Sequence, residues 1–390
     1  MKNLPELKIG EFACRIPIVQ GGMGVGISLS GLASAVANEG GIGVISAAMP
    51  GIHETDVASN SDQAHIRVLR REIRKARQLS RGVLGVNIMV ALTNFGDMVR
   101  TSIAEGVDII FAGAGLPLDL PGYLTAGART KLAPIVSSAR AAVVMCKKWL
   151  SRFDYLPDAF VVEGPLAGGH LGFKPEQIDD PNFALERLVA EVIRAIRPFE
   201  DGRNKRIPVI PAGGIFDGAD MHRFLQMGAA GVQLGTRFVA THECDADEAF
   251  KRLYVEARES DITIIKSPLG LPGRVVRNAF VDDVARGNKK PFKCPFHCIR
   301  TCEPKKSPYC IALALANARK GRFKYGFAFA GQNAYRVERI VSVKDLIASL
   351  TREFQAAAGA AAPLSSDDKA LRRMSPPASD DMVGKRPAFG

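Results

Sequence analysis

Eight short apolar runs, most closing on glycine or another small or polar residue, limit what this chain can fold into more than any other feature. They occupy residues 16–21, 42–46, 84–89, 107–112, 132–137, 159–163, 207–212 and 232–235. Their apolar character is continuous rather than alternating, the pattern of strands covered on both faces. The stretches 28–38, 61–79, 94–105, 139–152, 182–196, 217–227 and 245–259 read as helices between and after them. Ser28, Asn182 and Asp217 are residue types that cap helix starts, and Gly106 and Gly228 suit helix ends. Eight such units over about 250 residues predict an α/β chain folded as a (β/α)8 TIM barrel. A doubly wound open sheet is the alternative, but eight consecutive units favour closure.

The barrel is expected over residues 10–260. Residues 261–355 follow as a C-terminal cysteine-rich and helical extension. It holds a turn-rich stretch at 262–280 that resembles a loop over an active site, then the cysteines, then helices at 311–320 and 343–358. From 356 to 390 the composition turns to Ala, Ser, Pro and charge, which predicts a disordered tail. With 47% hydrophobic residues in 390, the chain can bury a large core. No run of about eighteen uncharged apolar residues predicts a membrane span, and the first residues lack a signal peptide's apolar core. A cytoplasmic protein is expected.

In such a barrel the site lies at the C-terminal strand ends, with phosphate often held after the seventh and eighth strands. Both ends are glycine-rich here: Ala212-Gly213-Gly214 and Gly235-Thr236. Glycine lets backbone N–H groups approach phosphate oxygens, a following helix start adds favourable partial charge, and Thr236 can add a hydroxyl. The first strand ends in Gln20-Gly21-Gly22-Met23-Gly24, where missing side chains would let a flat ring lie against the backbone. Asn87, closing the third run, can bond a polar ring edge or serve as a turn residue. The sixth run leads through Glu163 into Gly168-Gly169-His170. A histidine in a glycine-flanked loop on the catalytic face can swing toward a cofactor, and its ordinary pKa suits proton transfer.

These residues resemble the nitronate monooxygenase family, which includes 2-nitropropane dioxygenase-like enzymes and related FMN-dependent enoyl-acyl carrier protein reductases. The resemblance rests on Pro17 to Gly24, the Gly168-Gly169-His170 loop, Ala212-Gly213-Gly214-Ile215 and Gly235-Thr236-Arg237-Phe238. Gly273 to Asn278 and Ala330 to Ala334 add to it, and together the segments run in family order over roughly residues 10–340. It implies non-covalent FMN, with Gly22, Met23 and Asn87 along the ring and ribityl side. Ala212, Gly213, Gly214, Gly235 and Thr236 would take the phosphate, and Glu163 and Gly169 would lie near the flavin edge. His170 matches the family's catalytic histidine. The implied reaction is oxidation of alkyl nitronates by oxygen. The alternative is an NAD(P)H-dependent enoyl-thioester reductase, whose partner would be an acidic carrier protein.

Cys294, Cys298, Cys302 and Cys310 fall within seventeen residues and serve neither reaction. Four thiolates are the usual ligand set of a [4Fe–4S] cluster, although spacings of four, four and eight match no common ferredoxin pattern. On one straight helix Cys294 and Cys302 would stand about 12 Å apart, too far for one cluster, but Pro295 argues against such a helix. Zinc, with His297 as an alternative ligand, and buried thiols without metal are the other readings. A cluster would suggest a third function, electron transfer between iron–sulfur and FMN. Ten Lys or Arg and one acidic residue, Glu303, lie between Lys289 and Lys324. This patch would offset cluster charge or dock an acidic partner. With no recognised binding module it makes a weak case for nucleic acid.

Overall fold

The computed structural model describes residues 4–360 apart from Lys289, Pro291 and Pro295. An antiparallel hairpin of β1 (Leu7–Ile9) and β2 (Phe12–Cys14) precedes the barrel. Barrel units then follow as β3 (Ile18–Gln20), α1 (Ser30–Asn38), β4 (Gly43–Ser46), α2 (Ser61–Leu79), β5 (Leu84–Met89) and α3 (Phe95–Ala104). They continue with β6 (Ile109–Gly113), β7 (Lys131–Val136), α4 (Ala139–Phe153), β8 (Phe160–Glu163), the short β9 (Gly169–His170) and α5 (Leu185–Arg203). The last units are β10 (Val209–Ala212), α6 (Gly218–Gln226), β11 (Val232–Leu234), α7 (Thr236–Val239) and α8 (Glu248–Glu256).

Eight of these strands form one parallel sheet in the order β3-β11-β10-β8-β7-β6-β5-β4. A parallel bridge between Val19 and Ile42 joins its two edges, with Ile42 N–H donating to Ile18 and Gln20 N–H to Ile42, both at 2.9 Å. The barrel is therefore closed, as the eight apolar runs predict.

The continuous apolar runs are explained by two cores on opposite faces of the strands. Val19, Val44, Ile109, Phe111, Val161 and Ile210 fill the interior, and Leu7 and Ile9 of the leading hairpin pack with them. Alternate residues such as Ile18, Ile45, Val86, Ile110 and Val162 face the helices. Each full burial of a Val or Ile contributes roughly 1.5–3 kcal/mol, so neither face tolerates a polar residue cheaply. The predicted helix at 182–196 instead runs from Leu185 through Arg203 with Pro198 inside it. Proline lacks the N–H of a normal helix bond, but Val189, Val192 and Ile196 bury one face and hold the helix on the barrel.

Beyond the barrel, the turn-rich stretch at 262–280 does reach over the cavity, where Leu269 and Leu271 line it, but most of it is regular structure. Its residues form an antiparallel hairpin of β12 (Ile262–Lys266) and β13 (Pro272–Val276), leading into α9 (Ala279–Ala285). The cysteine-rich segment connects α9 to α10 (Ile311–Arg319). The final helix, α11 (Val343–Ala360), packs on α6, where Glu353 accepts the Gly218 N–H at 2.9 Å and the Phe354 ring meets His222 edge-on. The tail therefore does not begin at 356: Phe354 and Ala358 are buried and hold 356–360 in the helix. Residues 361–390 lie outside the described residues.

Candidate active site

The C-terminal ends of the barrel strands enclose a cavity of about 830 Å³. Gly22, Met23 and Asn87 line one part of it, and Ala212, Gly213, Gly214, Gly235 and Thr236 another. Glu163, Gly169 and His170 complete the set expected from the sequence. Of the four clustered cysteines, Cys298 alone lines this cavity.

At the β10 end, Gly213 and Gly214 have φ of +92° and +87°, a region that side-chain-bearing residues rarely adopt. A Cβ on Gly213 would also stand 2.9 Å from the Ala167 nitrogen and 3.0 Å from the Gly164 carbonyl oxygen. The turn is thus specified twice, by its own dihedrals and by the loop folded over it. Asp217 caps α6 by accepting from Asp220 N–H at 3.0 Å. The C-terminal extension braces both glycine-rich ends. Asn333 donates to the Gly214 carbonyl at 2.6 Å, and the Thr236 hydroxyl accepts the Gly331 N–H at 3.1 Å. That bond leaves the hydroxyl proton of Thr236 free to donate into the cavity.

At the β3 end a neighbouring side chain gives a further reason for glycine. A Cβ on Gly22 would fall 2.3 Å from the Asn87 Cβ, so the missing side chain makes room for Asn87. The Asn87 amide and the Glu163 carboxyl face the cavity and find no hydrogen-bond partner among the described residues. What surface Glu163 keeps opens onto the cavity, and the protein around it pushes its pKa up to about 7 by desolvation.

His170 does not swing freely. Its strand β9 pairs with β13, Gly273 opposite His170, so the imidazole belongs to the sheet of the overlying hairpin. Its Nε2 lies 2.9 Å from the Ser267 hydroxyl in the hairpin turn, and its ring meets Phe329 edge-on at 5.0 Å. Ser267 is itself fixed by the Leu269 N–H at 3.1 Å. Burial lowers the His170 pKa to about 4, which keeps the ring neutral near pH 7.

Ser267, Arg274, Phe329 and Tyr254 shape the site without having been singled out individually from sequence. Arg274 is 2% exposed and donates to the Pro165 and Ala167 carbonyls, tying down the loop before His170. Burial brings its pKa down to about 10, so it still carries its charge at neutral pH. Tyr254 lines the cavity and donates its hydroxyl to the Phe329 carbonyl. A buried arginine in the family-like Gly273 to Asn278 segment was the one available signal.

The cysteines Cys294, Cys298, Cys302 and Cys310 are free thiols. Among the described residues no three His, Cys, Asp or Glu side chains form a group that could hold a metal ion. Single-ion zinc ligation has no site in this arrangement, and His297 is exposed. No helix among the described residues is long and apolar enough to cross a membrane.

The sequence matches the nitronate monooxygenase family over residues 6–353. A (3aS,4S,5R,7aS)-5-hydroxy-7a-methyl-1-oxo-octahydro-1H-indene-4-carboxyl-CoA dehydrogenase of Mycobacterium tuberculosis is 31% identical over 273 residues, 70% of this chain and 66% of that protein. A nitronate monooxygenase of Paraburkholderia phytofirmans is 36% identical over 205 residues, 51% of this chain and 49% of that protein. The chain thus spans less than two thirds of the length of either relative. FabK from Thermotoga maritima superposes with a TM-score of 0.69 at 28% identity, covering 89% of this chain and 94% of that one. With a closed barrel, glycine-rich seventh and eighth strand ends and a match over nearly all described residues, the chain belongs to the nitronate monooxygenase family, whose members are flavin-dependent oxidoreductases.

Proposed function

We propose that this chain is an FMN-dependent oxidoreductase of the nitronate monooxygenase type, oxidising alkyl nitronates with oxygen and using His170 as its catalytic base. The observation that carries this reading is one cavity bounded by the glycine turn of β10 and by a half-buried, neutral imidazole under a hairpin. The residues fit the cofactor: the left-handed glycines free backbone N–H groups for phosphate, and Asn87 and Glu163 have unspent polar atoms facing the cavity. Ala212, Gly213, Gly214, Gly235 and Thr236 would hold the phosphate; Gly22, Met23 and Asn87 the ring and ribityl side; Glu163 and Gly169 the flavin edge.

FMN supplies the electron chemistry, taking two electrons from substrate and passing them to oxygen. The chain's residues manage proton and charge. A neutral His170 can take, at its free ring position, the α-proton of the nitroalkane that equilibrates with the nitronate; the C–H electron pair stays on the substrate as the nitronate anion, and the resulting imidazolium would pair with it. Ser267 fixes the ring plane, and the β12–β13 hairpin limits water around it. The test is oxygen uptake by flavin-loaded protein with propionate 3-nitronate. Turnover should appear in the native chain and fall at least a hundredfold in His170→Asn. A flavin-loaded protein that consumes no oxygen with any alkyl nitronate refutes this reading.

A second reading, reduction of an enoyl thioester by NAD(P)H, is favoured by the relative named as a carboxyl-CoA dehydrogenase and by the basic segment adjoining the cavity at Cys298. An acidic acyl carrier protein would then be the partner. Anaerobic NADPH should bleach the flavin, and crotonyl-CoA should restore its colour. A flavin that neither nicotinamide reduces eliminates it.

A further inference from the structure

The wall of the active-site cavity carries almost no charge. Among the described residues its ionisable side chains are Glu163, His170, Tyr254 and Cys298, and none of the chain's 52 Lys and Arg lines it. Arg274, buried close by, is spent on the Pro165 and Ala167 carbonyls. The rim is apolar as well. Six large hydrophobic side chains stand exposed among the described residues, and three of them, Leu116, Leu166 and Leu271, line this one cavity. A single exposed leucine needs no explanation, but three from separate loops around one opening mark a surface that an apolar ligand group covers.

Leu166 lies over the glycine turn of β10, where a Cβ on Gly214 would meet its side chain at 3.0 Å. The other two stand elsewhere. Leu116 follows β6, which the order of the strands puts across the barrel from β11, the strand that leads into Gly235 and Thr236. Leu271 belongs to the turn between β12 and β13, in which Ser267 holds Nε2 of His170. Leu269 of the same turn lines the cavity too, and its N–H fixes Ser267. Phe173 and Phe183, edge-on at 6.1 Å, extend the apolar wall. A substrate reacting at His170 therefore has its substituent beside leucine and phenylalanine side chains, with no cation to receive a second negative charge. A carboxylate there would lose hydration without gaining a partner. Each buried methylene would instead strengthen binding about fourfold.

We propose that Leu116, Phe173, Phe183, Leu269 and Leu271 form a subsite for the uncharged end of the substrate, selecting nitronates with longer alkyl chains or apolar rings over those that carry a carboxylate. The proposal rests on the nitronate reading of the site. Flavin-loaded protein should oxidise the nitronates of nitroethane, 1-nitrobutane and 1-nitrohexane with kcat/KM rising about fourfold per methylene. Propionate 3-nitronate should turn over with kcat/KM about tenfold below that of 3-methyl-1-nitrobutane nitronate, in which an isopropyl group replaces the carboxylate. Leu116→Arg should narrow or reverse that preference, and Leu271→Ser should flatten the chain-length series. Their side chains are 38% and 43% exposed, so neither change opens the core. An unchanged Kd for FMN in both variants separates an altered subsite from lost cofactor. A flat chain-length series in the native protein, or propionate 3-nitronate as the better of the isosteric pair, overturns the proposal. Should no nitronate be oxidised, calorimetric titration with 1-butanol, 1-hexanol and 1-octanol decides. Binding that tightens about fourfold per methylene and weakens in Leu116→Arg keeps the subsite while the nitronate reading falls. Equal binding of the three alcohols, or none, refutes the subsite itself.

Discussion

Replacing Gly213 by alanine separates what the β10 turn does for the fold from what it does for the flavin. At φ +92° an added Cβ costs roughly 1–2 kcal/mol in backbone strain alone. It would also press on the Ala167 nitrogen at 2.9 Å and the Gly164 oxygen at 3.0 Å, both backbone atoms of a loop that Arg274 holds in place. Overpacking of this kind costs about 1–3 kcal/mol, for a combined loss of roughly 2–5 kcal/mol. Gly106→Ala is the control: φ there is +68°, and nothing lies within 4 Å of the built Cβ. It should show the dihedral cost alone, roughly 1–2 kcal/mol. Thermal unfolding of both variants gives the stability terms, and quenching of FMN fluorescence gives Kd. If even 1.4 kcal/mol of the collision is relieved by moving N–H groups off the phosphate, Gly213→Ala weakens FMN about tenfold, while Gly106→Ala leaves Kd unchanged. Native FMN affinity in Gly213→Ala would refute the phosphate assignment, whatever the stability change.

His170 and Glu163 should act on stability in opposite pH windows. The folded pKa of His170 is depressed from 6.5 to about 4, so its contribution is complete above 6.5 and is lost as pH falls toward 4. The folded pKa of Glu163 is raised from 4.5 to about 7, so its contribution is complete below 4.5 and is lost as pH rises through 7. Glu163→Gln should therefore stabilise the flavin-free protein at pH 8 by about 1–3 kcal/mol, discounted for cavity water, and do nothing at pH 4; denaturant unfolding at both pH values checks this. The acid limb of kcat/KM should fall near pH 4 rather than 6.5, and a limb at 6.5 would mean that His170 is not the base. Ser267→Ala removes the partner of Nε2 at 2.9 Å and should cost about 1 kcal/mol in transition-state stabilisation, roughly fivefold in kcat, with KM little changed.

What the sequence revealed and what it hid divide by the range of the interactions. Strand runs such as 84–89 and 207–212 were legible because burial on both faces leaves a continuous apolar signature in neighbouring residues. Gly213 and Gly214 were legible because their positive φ is a property of each residue alone. The hairpin of β1 and β2 was not, since three-residue strands leave no period to read. His170 was visible as a loop histidine, but its partner Ser267 lies 97 residues away, and Arg274 reaches the Ala167 carbonyl across 107. No local pattern can announce such contacts. The consequence is a division within the site itself. The end proposed to hold phosphate is largely written in backbone dihedrals of the barrel, whereas the surroundings of His170 are supplied by side chains of the extension. Substitutions in the β12–β13 hairpin or at Phe329 can therefore retune the histidine without disturbing the glycine turn of β10. A barrel that keeps one cofactor end while its hairpin varies can serve both nitronate oxidation and thioester chemistry within one family.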